Sequence, residues 1–346
     1  MPDDKNSTNA KPTTVIIPIT LDSLTTLPKP TLYAIREAAT LLSSSRAKTW
    51  TNRSHLCIIL QCPEITANIS TPARIWKPLQ KLLAELYVEA SNAAAGLGNT
   101  LLNVDVIFED WCGYDPWLRE DVELFLGVPE DKPTLATVNI RREKLQIAPL
   151  QFHTITPPPS SDSTASVTSS TPTTPSVSAS KDIYGHVALG GTFDHLHCGH
   201  KILLTTAAWL TKQRLYCGVI DFDPERLKRK KHYQQMEPLQ TRLDSVREFL
   251  NIIHQDPTVK YEVEAIHDDV GPTRHDGTFE AIVGSAETAK GCEMVNEVRR
   301  QNGLNELEVF IVGVIAEDKV DVGEDMASKT SSTSIRAYLE ATQAAE

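Results

Sequence analysis

The feature that most limits what this chain can become is a stretch unable to fold. Residues 157–180 read PPPSSDSTASVTSSTPTTPSVSAS, with almost no large apolar side chain. Such a segment buries too little surface to offset the entropy of ordering, so a disordered linker is expected over 156–181. It divides the 346 residues into an N-terminal part, 1–155, and a C-terminal part, 182–346, each of a size usual for one domain. No internal repeat is evident.

Both parts have the pattern of an α/β fold. In the first, 15–17, 55–60 and 101–108 read as strands. Ile75, Leu79, Leu82, Leu83 and Leu86 recur at helical spacing. Thr71 is the expected N-cap of that helix, with Pro72 at its first position; Pro78 demands a bend or a later start. No catalytic constellation stands out there. In the second part, strands are expected at 187–189, 215–220, 259–266, 281–283 and 307–312, and helices at 200–210, 239–253, 288–302 and 334–345. This alternation gives a Rossmann-like, doubly wound parallel sheet, preceded by the other α/β domain. Ligands of such sheets sit at the carboxyl ends of the strands.

The informative residues fall at those ends. After the first strand of the second part comes Gly190-Gly191-Thr192-Phe193-Asp194-His195-Leu196-His197-Cys198-Gly199-His200. Gly190 and Gly191 permit a tight turn and a close backbone approach to a ligand. The helix that follows offers unpaired N–H groups and a positive dipole end, which suits phosphate. His197 and His200 are spaced to share one face, with Gly199 leaving room for a nucleotide between them. Near the chain's end, Lys329-Thr330-Ser331-Ser332-Thr333-Ser334-Ile335-Arg336 places hydroxyls at a helix entry. Ser331, Ser332 and Thr333 are suited to cradle phosphate, with Arg336 one turn inside. After the second strand, Arg226-Leu227-Lys228-Arg229-Lys230-Lys231 sets a basic run where phosphates would arrive.

The run from Gly190 to Leu204 resembles the HxGH nucleotidylyltransferase superfamily, and in the form GGTFDxLHxGH the phosphopantetheine adenylyltransferases of eukaryotic, fungal-like style. The resemblance covers about residues 182–340. It implies transfer of AMP from Mg·ATP to 4′-phosphopantetheine, giving dephospho-CoA and pyrophosphate in coenzyme A biosynthesis. Under it, Thr192 and a lysine hold the acceptor phosphate; Lys228 is the first choice and Lys230 the second. His197 and His200 meet the α- and β-phosphates. Gly190, Gly191, Gly199, Ser331, Ser332, Thr333 and Arg336 bind ATP. Arg242, in a segment resembling EPxxxR, joins Thr192 and Lys230 near the acceptor. Mg²⁺ is expected to arrive on the ATP phosphates, with no protein metal cage.

Two other readings stay open. One is another HxGH enzyme of cytidylyltransferase type, although KTSSTSIR stands where RTxGxSTS is usual. The other is a catalytically inactive scaffold of a coenzyme A-synthesis assembly. No GxxxxGK[ST] P-loop accompanies the motifs, so a monofunctional enzyme is expected. A net charge of -11 argues against nucleic acid as a partner. The six cysteines have no zinc spacing, and no apolar run has membrane length. Together these point to the cytosol, with the nucleus possible. The first domain is expected either to dock neighbouring enzymes of the same synthesis or to be vestigial.

Overall fold

Buried apolar runs become parallel strands, and the amphipathic stretches between them become crossover helices. The computed structural model describes residues 14–43, 53–156, 180–221, 227–313 and 331–343. Residues 157–179 of the expected linker lie outside these, as do 222–226 and Lys329-Thr330. The first sheet is built from β1 (Thr14–Thr20), β2 (His55–Gln61), β3 (Asn103–Phe108), β4 (Leu124–Gly127) and β5 (Gln151–Thr154). Its strand order is β3-β2-β1-β4-β5 and every pairing is parallel. Its helices are α1 (Lys29–Ser43), α2 (Pro63–Ala67), α3 (Trp76–Ala95) and α4 (Lys132–Lys144).

The second sheet contains β6 (Tyr184–Gly191), β7 (Thr211–Ile220), β8 (Lys260–Ile266), β9 (Ala281–Ser285) and β10 (Glu308–Val312). Its order is β10-β9-β6-β7-β8, again wholly parallel. The helices here are α5 (Cys198–Leu210), α6 (Leu239–Ile253), α7 (Ala289–Gln301) and α8 (Ser332–Gln343). Each sheet reverses its winding beside its first strand, between β1 and β4 and between β6 and β9. In doubly wound sheets such switch points are where ligands bind.

Several sequence expectations need adjustment. Pro72–Ile75 is a separate 3₁₀ turn, and α3 begins at Trp76. Pro78 therefore lies in the first turn of α3, where a missing N–H breaks no helical bond. Thr71 makes no side-chain cap and instead donates to Asn68 Oδ1 at 3.1 Å. Helices α1 and α4 and strands β4 and β5 were not anticipated. The two strands are only four residues long, and α4 is too polar to give a clear periodic signal.

The two sheets share one core. Helix α3 packs on α5, and a single cluster of buried apolar residues includes Leu79, Leu83 and Phe108 from one unit with Leu203, Trp209 and Val246 from the other. Across this seam Trp209 Nε1 donates to the Pro72 carbonyl at 3.3 Å, Tyr114 Oη to that of Ile252 at 2.6 Å, and the Gln255 N–H to that of Cys112 at 2.7 Å. Gly113 sits there at φ +78°, and a Cβ on it would lie 2.2 Å from the Gln255 oxygen. That approach is open only to glycine.

Candidate active site

At the end of β6 the chain turns through Thr192 to Leu196 before entering α5. Phe193 and His195 have φ values of 49° and 48°, a left-handed conformation that non-glycine residues rarely adopt. A buried polar lattice holds this turn. Asp194 is fully buried. Its Oδ1 accepts from the Glu237 N–H at 2.8 Å, and its Oδ2 from Arg336 Nη1 at 2.5 Å. Glu237 Oε2 accepts from the His195 N–H at 2.7 Å, and His195 Nε2 donates to the Gln235 carbonyl at 2.6 Å.

The turn delivers His197 as the N-cap of α5, its Nδ1 accepting from the Gly199 N–H at 3.2 Å. With Nδ1 an acceptor, the neutral ring carries its proton on Nε2. The His197 and His200 rings lie 4.0 Å apart between centroids. Burial, then the nearby His195 and Lys201 charges, hold His197 down to about 4. Burial, then His197 and Lys230, hold His200 well below the ordinary histidine value. Both imidazoles are therefore neutral at neutral pH. His200 Nδ1 is buried and has no hydrogen-bond partner among the described residues.

The C-terminal motif meets the same turn. Ser331 Oγ accepts from the Ser334 N–H at 3.2 Å, and α8 starts at Ser332, whose Oγ donates to the Asp194 carbonyl at 2.8 Å. Thr333 is exposed beside them. Arg336 was expected to contact ATP. Its guanidinium is instead 2% exposed and spent on the protein, with Nε donating to the Lys231 carbonyl at 3.0 Å and Nη2 to Thr333 Oγ1 at 3.2 Å. Together with the Asp194 pair, these bonds tie three segments of the site together.

Among the basic residues, the second-choice lysine is the one that meets Thr192. Lys230 Nζ donates to Thr192 Oγ1 at 2.9 Å, whereas Lys228 is exposed. The cause is a turn: the Lys230 N–H bonds the Leu227 carbonyl at 3.0 Å, and Leu227 is buried, so the chain folds back and returns Lys230 towards Thr192. Burial, then the Arg336 charge, lowers the Lys230 pKa. Arg242, expected at the acceptor, is 2% exposed. Its Nη1 donates to the carbonyls of Thr192 and Ile220, both at 2.8 Å, and its Nε to that of Glu237 at 3.2 Å. It fastens Thr192 to the end of β7. Beside it lies a groove of about 600 Å³ lined by Asp221, Leu227, Tyr233, Met236, Leu239 and His267.

Sequence reasoning gave no role to Asp194, His195 or Glu237, though they stood inside the quoted motifs. The available signal was that an acid and a basic residue follow a Gly-Gly turn with no surface position to occupy. It also missed that the N-terminal unit reaches this site. Lys201, directly after His200, is buried and donates to Asp105 Oδ1 at 2.5 Å, Asn103 Oδ1 at 2.6 Å and the Val104 carbonyl at 2.7 Å. Asp105 Oδ2 takes a further bond from His55 Nε2 at 2.6 Å. Burial pushes the Asp105 pKa up, but the Lys201 and His55 charges outweigh it and keep the carboxylate ionised.

The Cytidylyltransferase-like family matches residues 188–338. A phosphopantetheine adenylyltransferase of Saccharomyces cerevisiae is 40% identical over 44% of this chain, and the match spans about half, 48%, of that relative's length. One from Pyrobaculum aerophilum is 36% identical over 45% of this chain and 93% of its own length. An uncharacterized Schizosaccharomyces pombe protein is 28% identical over 83% of this chain and 86% of its own, so that relative alone of the three spans both sheets.

Proposed function

The chain belongs to the phosphopantetheine adenylyltransferase family, and on that premise we propose that it transfers the adenylyl group of ATP to 4′-phosphopantetheine. The observation that carries this reading is the Lys230–Thr192 pair, at 2.9 Å, in the same turn-and-helix unit as two neutral imidazoles. The acceptor phosphate is already a nucleophile, so no activated serine or cysteine is needed. Thr192 and Lys230 hold it. One of its oxygens attacks the ATP α-phosphorus, the bond from that phosphorus to the bridging oxygen breaks, and pyrophosphate leaves with the electron pair. Holding the two phosphates in line supplies roughly 7–11 kcal/mol of the barrier.

His197 and His200 offer neutral N–H donors to charge that grows on the departing phosphates. The hydroxyl-bearing start of α8, with the α5 N-terminus, cradles the triphosphate. The groove beside Arg242 takes the acceptor's arm. Magnesium would be held mainly by the ATP phosphates, where it would supply charge neutralisation. The nearby carboxylates suit that arrangement, because Asp194 and Glu237 are committed to Arg336 and to backbone N–H groups.

Pyrophosphate release from Mg·ATP and 4′-phosphopantetheine tests the proposal, with CTP and choline phosphate as controls. Release that needs both substrates and collapses in Lys230→Ala is expected. Turnover with CTP instead moves the chain to the cytidylyltransferases, and silence with every pair makes it a scaffold.

A further inference from the structure

The two sheets share a strand order, and the likeness extends to individual residues. In α4, Asn139 Nδ2 donates to the Leu150 carbonyl at 3.1 Å and its Oδ1 accepts from the Leu150 N–H at 2.8 Å. In α7, Asn296 clasps Leu307 the same way, at 2.9 and 2.8 Å. Three residues after each asparagine stands a fully buried arginine, Arg142 or Arg299. Arg142 donates to the carbonyls of Ala148, Trp117, Arg119 and Val122; Arg299 donates to those of Asn305, Thr273 and Asp276. Each helix is followed by a left-handed residue at the same step, Gln146 (φ 60°) and Gly303 (φ 71°).

The strand edges correspond as well. The Glu123 N–H bonds the Thr14 carbonyl and the Gln151 N–H that of Glu123; the Glu280 N–H bonds the His186 carbonyl and the Glu308 N–H that of Glu280. Registers agree too: Val15 pairs with Leu124 as Val187 pairs with Ala281. A side-chain clasp, a buried guanidinium spent on loop carbonyls and a matching positive φ do not follow from the doubly wound topology alone.

With this register the turn after β1, Thr20-Leu21-Asp22-Ser23-Leu24-Thr25-Thr26-Leu27-Pro28-Lys29, aligns with Thr192 to Lys201. Thr, Asp, Leu and Lys recur at matching places, while Thr25 and Pro28 stand where His197 and His200 stand in the other. Leu27, 4% exposed and part of the core, fills the place of Gly199, and Asp22 is exposed where Asp194 is fully buried.

We infer that residues 14–155 are a second, diverged copy of the nucleotidyltransferase fold, silent at its own switch point, which serves the active copy as a built-in positioning partner through Asp105 and Lys201. Asp105 is a positioning residue: it fixes the first turn of α5, and with it His197 and His200, by holding the side chain next to His200. This second clause rests on the adenylyltransferase reading; the silence of the first copy does not.

The test pairs a binding measurement with a kinetic one on the full chain. Calorimetric titration with α,β-methylene-ATP is expected to show a single site per chain, lost in Gly199→Leu, which gives the active turn the residue of the silent one. A second site surviving that substitution would overturn the silent copy. Pyrophosphate release by Asp105→Asn is expected to fall by about 10²-fold in kcat with KM for ATP little changed. Asp105→Glu keeps the charge pair but displaces Lys201; it is expected to lower kcat while circular dichroism still shows a folded chain. Wild-type kcat in a folded Asp105→Glu chain would overturn the positioning role. Absence of turnover in the wild type strikes the adenylyltransferase reading instead, and the titration still decides whether the first copy is silent.

Discussion

The two switch points of this molecule stand on the same scaffold and differ in what occupies it. Beside β6 the turn carries Gly199, two neutral imidazoles and a buried carboxylate locked to Arg336. Beside β1 the equivalent turn has the buried Leu27 in place of that glycine and the exposed Asp22 in place of that carboxylate. What the halves retain in common are the Asn139/Arg142 and Asn296/Arg299 anchors, which lie away from either turn and satisfy backbone carbonyls that the loops would leave unpaired. The comparison teaches that the fold and the chemistry are held by different residues, so one was lost without the other.

The sharpest way to break the comparison is at the buried carboxylate. Arg336→Met strands Asp194 without its partner and is expected to cost ~3–5 kcal/mol in denaturant unfolding. Asp22→Ala, at the exposed equivalent, is expected to stay within ~0.5 kcal/mol. Equal costs would mean that the turns are not organised differently. Next, His200→Ala is expected to lower kcat ~10²–10³-fold in the pyrophosphate assay, while Pro28→Ala leaves turnover as it is. Loss of activity in Pro28→Ala would return function to the first turn.

The anchors should behave as equals. Arg142→Met and Arg299→Met each remove the donor from several loop carbonyls, and each is expected to cost ~1–3 kcal/mol. A large effect at one and none at the other would count against a common origin. A last effect concerns pH. Burial lowers the pKa of His55, but Cys57 and Asp105 raise it more, to about 9 from an ordinary 6.5. A raised histidine stabilises the fold fully below its unfolded pKa and loses that contribution as pH climbs through the folded one. Unfolding free energy is therefore expected to decline between about pH 6.5 and 9, and the decline should vanish in His55→Gln. An unchanged slope in that variant would remove His55 as its source.

Much of the second copy was legible because its chemistry is written locally. Gly190-Gly191, the two histidines and the hydroxyl-rich helix entry each carry their physical reason in sequence. The choice of Lys230 over Lys228 was not legible, because it depends on a turn closed by the buried Leu227. The bonds that Arg242 and Arg336 make within the protein were illegible for a related reason. An arginine beside a phosphate motif suggests a ligand for phosphate, and only packing reveals that backbone carbonyls and Asp194 had already claimed both. The first copy was opaque because the residues that identify a nucleotidyltransferase are the ones it lost. Its surviving signature, an asparagine and an arginine three apart on a polar helix, looks like any solvated face until the arginine is found buried and the asparagine clasped to Leu150.

Trp111 comes from the first copy and lies between two rings of the second, 5.2 Å from Trp209 and stacked at 4.2 Å on His254. Burial holds His254 down to about 4, so the ring beside the indole is uncharged at neutral pH. The chain thus carries an optical gauge of its own seam. Separation of the copies would wet Trp111 and shift its emission to longer wavelength before either sheet melts, so fluorescence and circular dichroism recorded together would register whether the halves part company or unfold as one.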